Sequence, residues 1–363
     1  MGALLLESDD PKAAAAVLEP AIELLAKLPA EQAKVRNLWG VALRATGDLD
    51  ESAAAFVSAA HGFEAAEMEL ERAAASFNLG LVRLQLGEPA AASTEFATAA
   101  EAFEREGASL QAAMARREQG SALLGAGRAA EAVPLLTRAF SEAERGPDDA
   151  GRGQAANSLG LALLATGDVA GAVAALRRAV AAHPPGIRPE PHAMAKANLA
   201  LAFEAAADRP RARLAAAQAL AWGPPSGPVH DQSVVLLDRL GPPTDDLARV
   251  LDDEDQAHWP ALIREEATRW LRLGQQGAEA AFAPLVAAME GDRGPAIAEA
   301  WLHTLVEVPP EEMSTLVRLA WRVAEGRSAF AAVVREAIIA VPPPQLFRLE
   351  AVFAAETDLD PRR

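Results

Sequence analysis

Cysteine is absent from the 363 residues, which excludes a disulfide framework, a thiolate metal site and a cysteine nucleophile. That absence accords with a reducing compartment. No apolar run approaches the roughly 18 residues that a membrane helix needs. The start, Met1-Gly2-Ala3-Leu4-Leu5-Leu6-Glu7-Ser8-Asp9-Asp10, has neither the basic region nor the long apolar stretch of a signal peptide. The expected location is the cytoplasm. Tyrosine is missing, and lysine occurs only at Lys12, Lys27, Lys34 and Lys196 beside a large excess of arginine, a bias expected of a GC-rich coding background. Positive charge is the scarcer sign: the formal net charge is -17. This argues against nonspecific binding to nucleic acid or to anionic lipid, both of which reward a clustered cationic surface. It is also what a soluble surface needs.

Signals of chemistry are equally sparse. The histidines His61, His183, His192, His230, His258 and His303 are scattered, and no spacing among them repeats a metal motif. Asp252-Asp253-Glu254-Asp255 followed by His258 is the densest set of potential ligands, but it lacks the loop pattern of a calcium site and reads as a solvated acidic helix start. Glu265-Glu266, and His303 with Glu307, could pair on helices, yet nothing adjacent supplies a nucleophile or an oxyanion hole. There is no glycine-rich phosphate loop and no strand to carry one. Neither a catalytic site nor a cofactor nor a metal is expected.

What the chain does have is a repeat. About half of the residues are apolar, enough to bury a core in one large or two ordinary domains. Gly40, Gly80, Gly120 and Gly160 recur every 40 residues, continued by Ala200. Seven residues after each come Gly47, Gly87, Gly127, Gly167 and Ala207. Three further series keep the register: Ser52, Ala92, Ala132, Ala172 and Ala212; Phe56, Phe96, Leu136, Leu176 and Ala216; Ala59, Ala99, Ala139, Ala179 and Ala219. Each unit reads as two helices joined by a tight turn at the second glycine, where the left-handed backbone is cheap only for glycine. Asp48 and Asp168 follow the turn, placed to cap the next helix. Pro89 and Pro210 sit early in second helices, where the missing N–H costs nothing. Small residues fall where the paired helices cross, and the Phe or Leu of the fourth series would fill space between hairpins. Hairpins stacked in this way form a solenoid.

Segments such as Asn78-Leu79-Gly80-Leu81 before Leu86-Gly87-Glu88, and Asn157-Ser158-Leu159-Gly160-Leu161 before Gly167-Asp168, resemble tetratricopeptide repeats. The resemblance covers residues 1–221, a half repeat plus about five units, and implies an all-α, right-handed superhelical solenoid. The family's usual unit is about 34 residues. The additional six are expected to lengthen the connections near Gly62, Gly107, Gly146-Pro147 and Pro184-Pro185-Gly186. Longer units of this kind resemble those of kinesin light chains and some bacterial regulators. The family's first-helix tryptophan position holds Arg36, Ser76, Arg116, Ala156 and Lys196 instead. Met1-Gly2 aligns with Leu159-Gly160, so the chain starts inside a unit, either trimmed or capped by a half repeat.

Trp222-Gly223-Pro224-Pro225-Ser226-Gly227-Pro228 breaks the pattern with turn formers. We place a Pro/Gly linker at 222–228 and a helical C-terminal domain at 229–363. Gly274, the stretch from Gly291 to Pro295, Pro309-Pro310, Gly326 and the stretch from Pro342 to Pro344 cut that domain into helical pieces of about 15 residues. Ala278, Phe282, Leu285, Val286 and Met289 form one apolar stripe, and Ile297, Trp301 and Leu305 another. The region holds Trp222, Trp259, Trp270, Trp301 and Trp321, leaving only Trp39 in the array. Helical tryptophans are read first as core, with an exposed partner-binding patch as the alternative.

In the family the first helix of each unit lines the concave surface. By that resemblance the groove positions are Lys34, Asn37, Val41 and Arg44; Ala74, Phe77, Asn78, Leu81 and Leu84; Met114, Arg117, Ser121 and Leu124; Gln154, Asn157, Leu161 and Leu164; Met194, Asn198 and Leu201. Asn37, Asn78, Asn157 and Asn198 can each donate to and accept from an extended peptide backbone, or can bond within the array. Asn37 and Asn157 lie one position earlier in the repeat than Asn78 and Asn198. Lys34, Arg44 and Arg117 could meet a carboxylate. The leucines could form a groove for an amphipathic helix or pack on a segment of the same chain. The resemblance implies a protein- or peptide-binding scaffold without catalysis, with self-association left open. The alternatives are a ligand- or peptide-responsive regulatory sensor, and an enzyme or metal protein whose site lies in the C-terminal domain.

Overall fold

A computed structural model describes residues 6, 10–325 and 328–356. Met1-Gly2, Gly326 and the tail from Thr357 lie outside the described residues. The described residues form nineteen α-helices, one short 3-10 turn and no strand. The chain divides into two compact units, Met1–Ala182 and His183–Arg363. The Gly/Pro stretch at 223–227 lies inside the second.

The first unit is an α-hairpin solenoid. Helix α1 (Pro11–Leu24) is the second half of a hairpin. Four full hairpins follow: α2 (Pro29–Thr46) with α3 (Leu49–Ala65), α4 (Glu69–Gln85) with α5 (Pro89–Arg105), α6 (Ser109–Gly125) with α7 (Ala129–Glu144), and α8 (Asp149–Thr166) with α9 (Val169–Ala182). Each helix packs chiefly on the one before and the one after it. Gly47, Gly87, Gly127 and Gly167 turn the chain within each hairpin at φ between +75° and +92°, the left-handed region that a Cβ disfavours. Of the two aspartates placed after these turns, Asp168 caps: its Oδ1 accepts from the Gly171 N–H at 2.9 Å. Asp48 makes no cap bond; its carboxylate instead accepts from the Thr46 hydroxyl at 2.6 Å.

The glycine of the first series explains the packing. A methyl at Gly40 would stand 2.9 Å from the Phe56 ring, one at Gly80 2.7 Å from Phe96, one at Gly120 2.5 Å from Leu136 and one at Gly160 2.5 Å from Leu176. The large side chain of each second helix therefore presses onto the bare backbone of its own first helix. It also reaches the next hairpin: Phe56 packs with Leu79 and Val82, and Phe96 with Ala122. Ser52, which departs from a small apolar residue, is fully buried and donates its hydroxyl to the Gly40 carbonyl at 2.7 Å.

One expectation is corrected here. The added length of the repeat lies in the helices, which run 17 or 18 residues in the first two full hairpins, and not in the connections at 66–68, 106–108 and 145–148, which stay short. Gly62 lies inside α3, where a methyl would meet Ala33 at 2.7 Å; it serves close helix approach, not a turn. Only the segment at 183–188, with Pro184-Pro185-Gly186, is a longer connection.

The second unit opens with one more repeat hairpin, α10 (Pro189–Ala205) and α11 (Arg209–Trp222), followed by α12 (Pro228–Leu240), α13 (Asp246–Asp253), α14 (Trp259–Arg272), α15 (Gln275–Met289), α16 (Gly294–Glu307), α17 (Pro310–Val323), α18 (Ser328–Ile338) and α19 (Pro343–Glu356). From α13 onward the main neighbours are two helices apart, so that α14, α16 and α18 form one row and α13, α15, α17 and α19 a second. Both expected stripes are buried, and Trp259, Trp270 and Trp301 sit fully inside one continuous core. Trp222 and Trp321 are only partly covered. An aromatic ladder runs edge-to-face from Trp270 to Phe282 at 4.7 Å, on to Trp301 at 6.1 Å with the rings tilted, and from there edge-to-face to Phe353 at 6.2 Å.

The Gly/Pro stretch is bridged by side chains. Arg213 on α11 grips the buried carboxylate of Asp246 with two nitrogens and also donates to the Leu240 carbonyl at 3.2 Å. Gln218 donates to Glu266 at 3.0 Å, and Arg272 lies over the Trp222 ring at 4.4 Å. Charged groups buried to this degree persist because each is paired and hydrogen-bonded.

Candidate functional site

The first helices of the hairpins carry the expected groove residues, and lateral hydrogen bonds link them from one repeat to the next. In the first unit the Asn78 amide donates to Asn37 Oδ1 at 3.5 Å. The one-position offset between these two asparagines is thus what an amide pair across adjacent first helices requires. Further along, Arg117 donates to Gln154, and Ser121 to Ser158 at 3.1 Å. The side chains of Asn37, Asn78, Arg117, Leu81, Asn157 and Leu161 are half-buried, while Lys34, Met114 and Gln154 are exposed.

Other expected residues are already engaged. Phe77 turns its ring edge to Phe96 at 5.3 Å and packs into the hairpin interior. Leu81 and Leu84 lean on the same cluster. The Lys34 ammonium is held by Glu31 at 2.9 Å, and that bond raises its pKa. Arg117 is paired with Glu118. Arg44 differs: it is half-buried, its Nε is shielded without a hydrogen-bond partner, and no carboxylate lies within ion-pair distance among the described residues. In the second unit Asn198 is buried and accepts from Gln232 on α12 at 3.3 Å, so it belongs to helix packing in that unit.

Two charged residues of structural weight escaped the sequence reading. Arg116 is buried and bonded to Glu142 and to Glu104. Arg138 binds Glu104 at 2.6 Å and Glu142 at 3.0 Å, and the bond from Arg138, then that from Arg116, lowers the Glu104 pKa. In the second unit Lys196 is buried against Glu265 at 2.5 Å. Both cations occupy the family's tryptophan position, 80 residues apart. That regularity was visible as a departure, though the carboxylates that neutralise them were not. Beside Lys196, His192 is buried with Nδ1 against the His183 carbonyl at 2.9 Å. Among the described residues, its Nε2 and the Nδ1 of His183 have no hydrogen-bond partner. Burial lowers both histidine pKa values, helped by Lys196 for His192 and by Arg188 for His183.

His258 stands 3.2 Å from Glu254 on the surface, and among the described residues no three potential ligands come together as a metal site. No described helix is long and apolar enough to cross a membrane.

Stacked α-hairpins of this kind define a class, the helical-repeat solenoids. The particular family follows from direct comparison: the tetratricopeptide-repeat model matches residues 77–150 and 117–187. Residues 77–187 thus carry tetratricopeptide repeats. No curated protein matches the sequence. Among solved structures the chain is similar to BtubC (BKLC) from P. vanneervenii, at 16% identity and a TM-score of 0.49, over 57% of this chain and 87% of that one.

Proposed function

We propose that this protein is a scaffold that holds a partner protein or peptide against the inner face of its first helices, and that it has no chemistry of its own. The family is one of protein-interaction scaffolds in general; the use of this face is our reading. Arg44 is the observation that carries it. A half-buried guanidinium without a counter-charge is a costly feature to keep in a chain of net charge -17, and a carboxylate on a partner would relieve it. Asn37, Asn78, Arg117 and Gln154 extend the same face with donors and acceptors suited to a peptide backbone.

The test is affinity capture from source lysate beside an Arg44→Glu, Asn78→Ala, Arg117→Glu variant of unchanged helicity. A partner identified by mass spectrometry that binds the natural chain and is lost from the variant supports the reading. A partner retained by both transfers the function to another surface.

A further inference from the structure

The first three full hairpins of the first unit share an alanine box that differs in one place. Phe63 packs among Ala33, Ala59 and Ala75. Forty residues on, Phe103 packs among Ala73, Ala99 and Ala115. The third hairpin keeps the box as Ala113, Ala139 and Ala155 but has Ala143 where the ring stood. Its phenylalanine has moved back almost one turn to Phe140, where the Arg178 guanidinium lies over it at 5.5 Å. A cavity of about 670 Å³ opens at the box, between α6, α7 and α8, and these four alanines line it. That is the size range of small-molecule sites.

The charges around the cavity point to the rest of the ligand. The lining carries four arginines against three carboxylates, in a chain of net charge -17. Glu104 and Glu142 are taken up by Arg116 and Arg138. Asp148 is engaged as the cap of α8, accepting from the Ala150 N–H at 3.0 Å. Arg145 is exposed and has no carboxylate partner among the described residues. Leu110 and Met114, both exposed, stand at the same site.

We propose that this cavity binds a small aryl anion, its ring on the alanine box in the place that Phe63 and Phe103 fill in the two preceding hairpins, and its charge on Arg145. An aromatic ring recovers the contacts the box makes in the other hairpins, and a guanidinium without a counter-ion pairs with the anion. The site shares Met114 and Arg117 with the inner face, but its ring and anion contacts, at Ala143 and Arg145, do not depend on the reading above.

The probe is 8-anilinonaphthalene-1-sulfonate, an aryl group bearing one anion, titrated into the full chain by calorimetry and fluorescence. The natural chain is expected to bind at one saturable site. Ala143→Phe restores the ring of the other hairpins and is expected to abolish that site while the thermal midpoint holds or rises. Arg145→Glu is expected to weaken binding about tenfold or more, with Arg145→Lys close to the natural chain. Absence of a saturable site in the natural chain, or equal affinity in Ala143→Phe or Arg145→Glu, overturns the proposal. Should Ala143→Phe fail to fold, the exposed Arg145→Glu variant decides alone.

Discussion

The two units are held together in different ways. In the first, alanines and glycines bring helix backbones close, each hairpin adds one large side chain, and the buried apolar residues fall into small clusters such as Phe56 with Leu79 and Val82, or Phe63 with its three alanines. In the second, one continuous core runs from Leu214 to Phe353 around Trp259, Trp270, Trp301, Phe282 and Phe330. Small residues allow close approach but bury little area each, so stability in the first unit is a sum of local, nearest-neighbour contributions. The aromatic core concentrates it in a few side chains. A regular array can then tolerate a local opening such as the one beside Ala143, whereas the aromatic ladder cannot.

The sharpest test of this contrast is Trp301→Ala, which removes the centre of the ladder. We expect a loss of about 3–5 kcal/mol, seen in denaturant melts and as fast hydrogen exchange throughout α14–α18. Gly80→Ala tests the opposite device. Its methyl would meet Phe96 at 2.7 Å, with an expected cost of about 1–3 kcal/mol, and Phe96→Ala in the same chain should recover part of it in a double-mutant cycle. Full additivity would show that the ring does not lean on the glycine.

Ala207 breaks the turn-glycine series while keeping its geometry, at φ 60°. Ala207→Gly is expected to raise stability by about 1 kcal/mol through relief of the left-handed strain, measured as an upward shift of the thermal midpoint. The caps separate next: Asp168→Ala should cost about 1 kcal/mol, and Asp48→Ala clearly less, since only Asp168 bonds a backbone N–H.

The smallest effect concerns pH. His183 and His192 have folded pKa values below the ordinary 6.5, so between that folded value and 6.5 the unfolded chain binds more protons. The stability of the second unit should therefore be complete above pH 6.5 and fall as the pH drops through and below it. His192→Phe should flatten that fall in thermal melts. An unchanged slope would mean that His192 is not the group responsible.

Much of the architecture was legible in the residues. A left-handed turn needs glycine for a steric reason that operates within one residue, so Gly47, Gly87, Gly127 and Gly167 located the hairpins directly. The stripes of Phe282 and Trp301 were legible because helical spacing alone places them on one face. The length of the helices was not, since Gly62 looks like a turn former until Ala33 is seen against it. The asparagine offset likewise made sense only with Asn37 and Asn78 on neighbouring helices. The loss of the ring at Ala143 was present in the repeat, but its consequence depends on three alanines from three different helices.

By itself the sequence determined the hairpins, their turns and the period that stacks them, because these follow from backbone sterics and from apolar spacing along one helix. Only the tertiary structure decided which charges neutralise one another. Arg116 with Glu104 and Glu142, Lys196 with Glu265, and Arg44 with no partner among the described residues all sit on similar helices. What separates them is the distance to a side chain on another helix, which is set by how the helices pack.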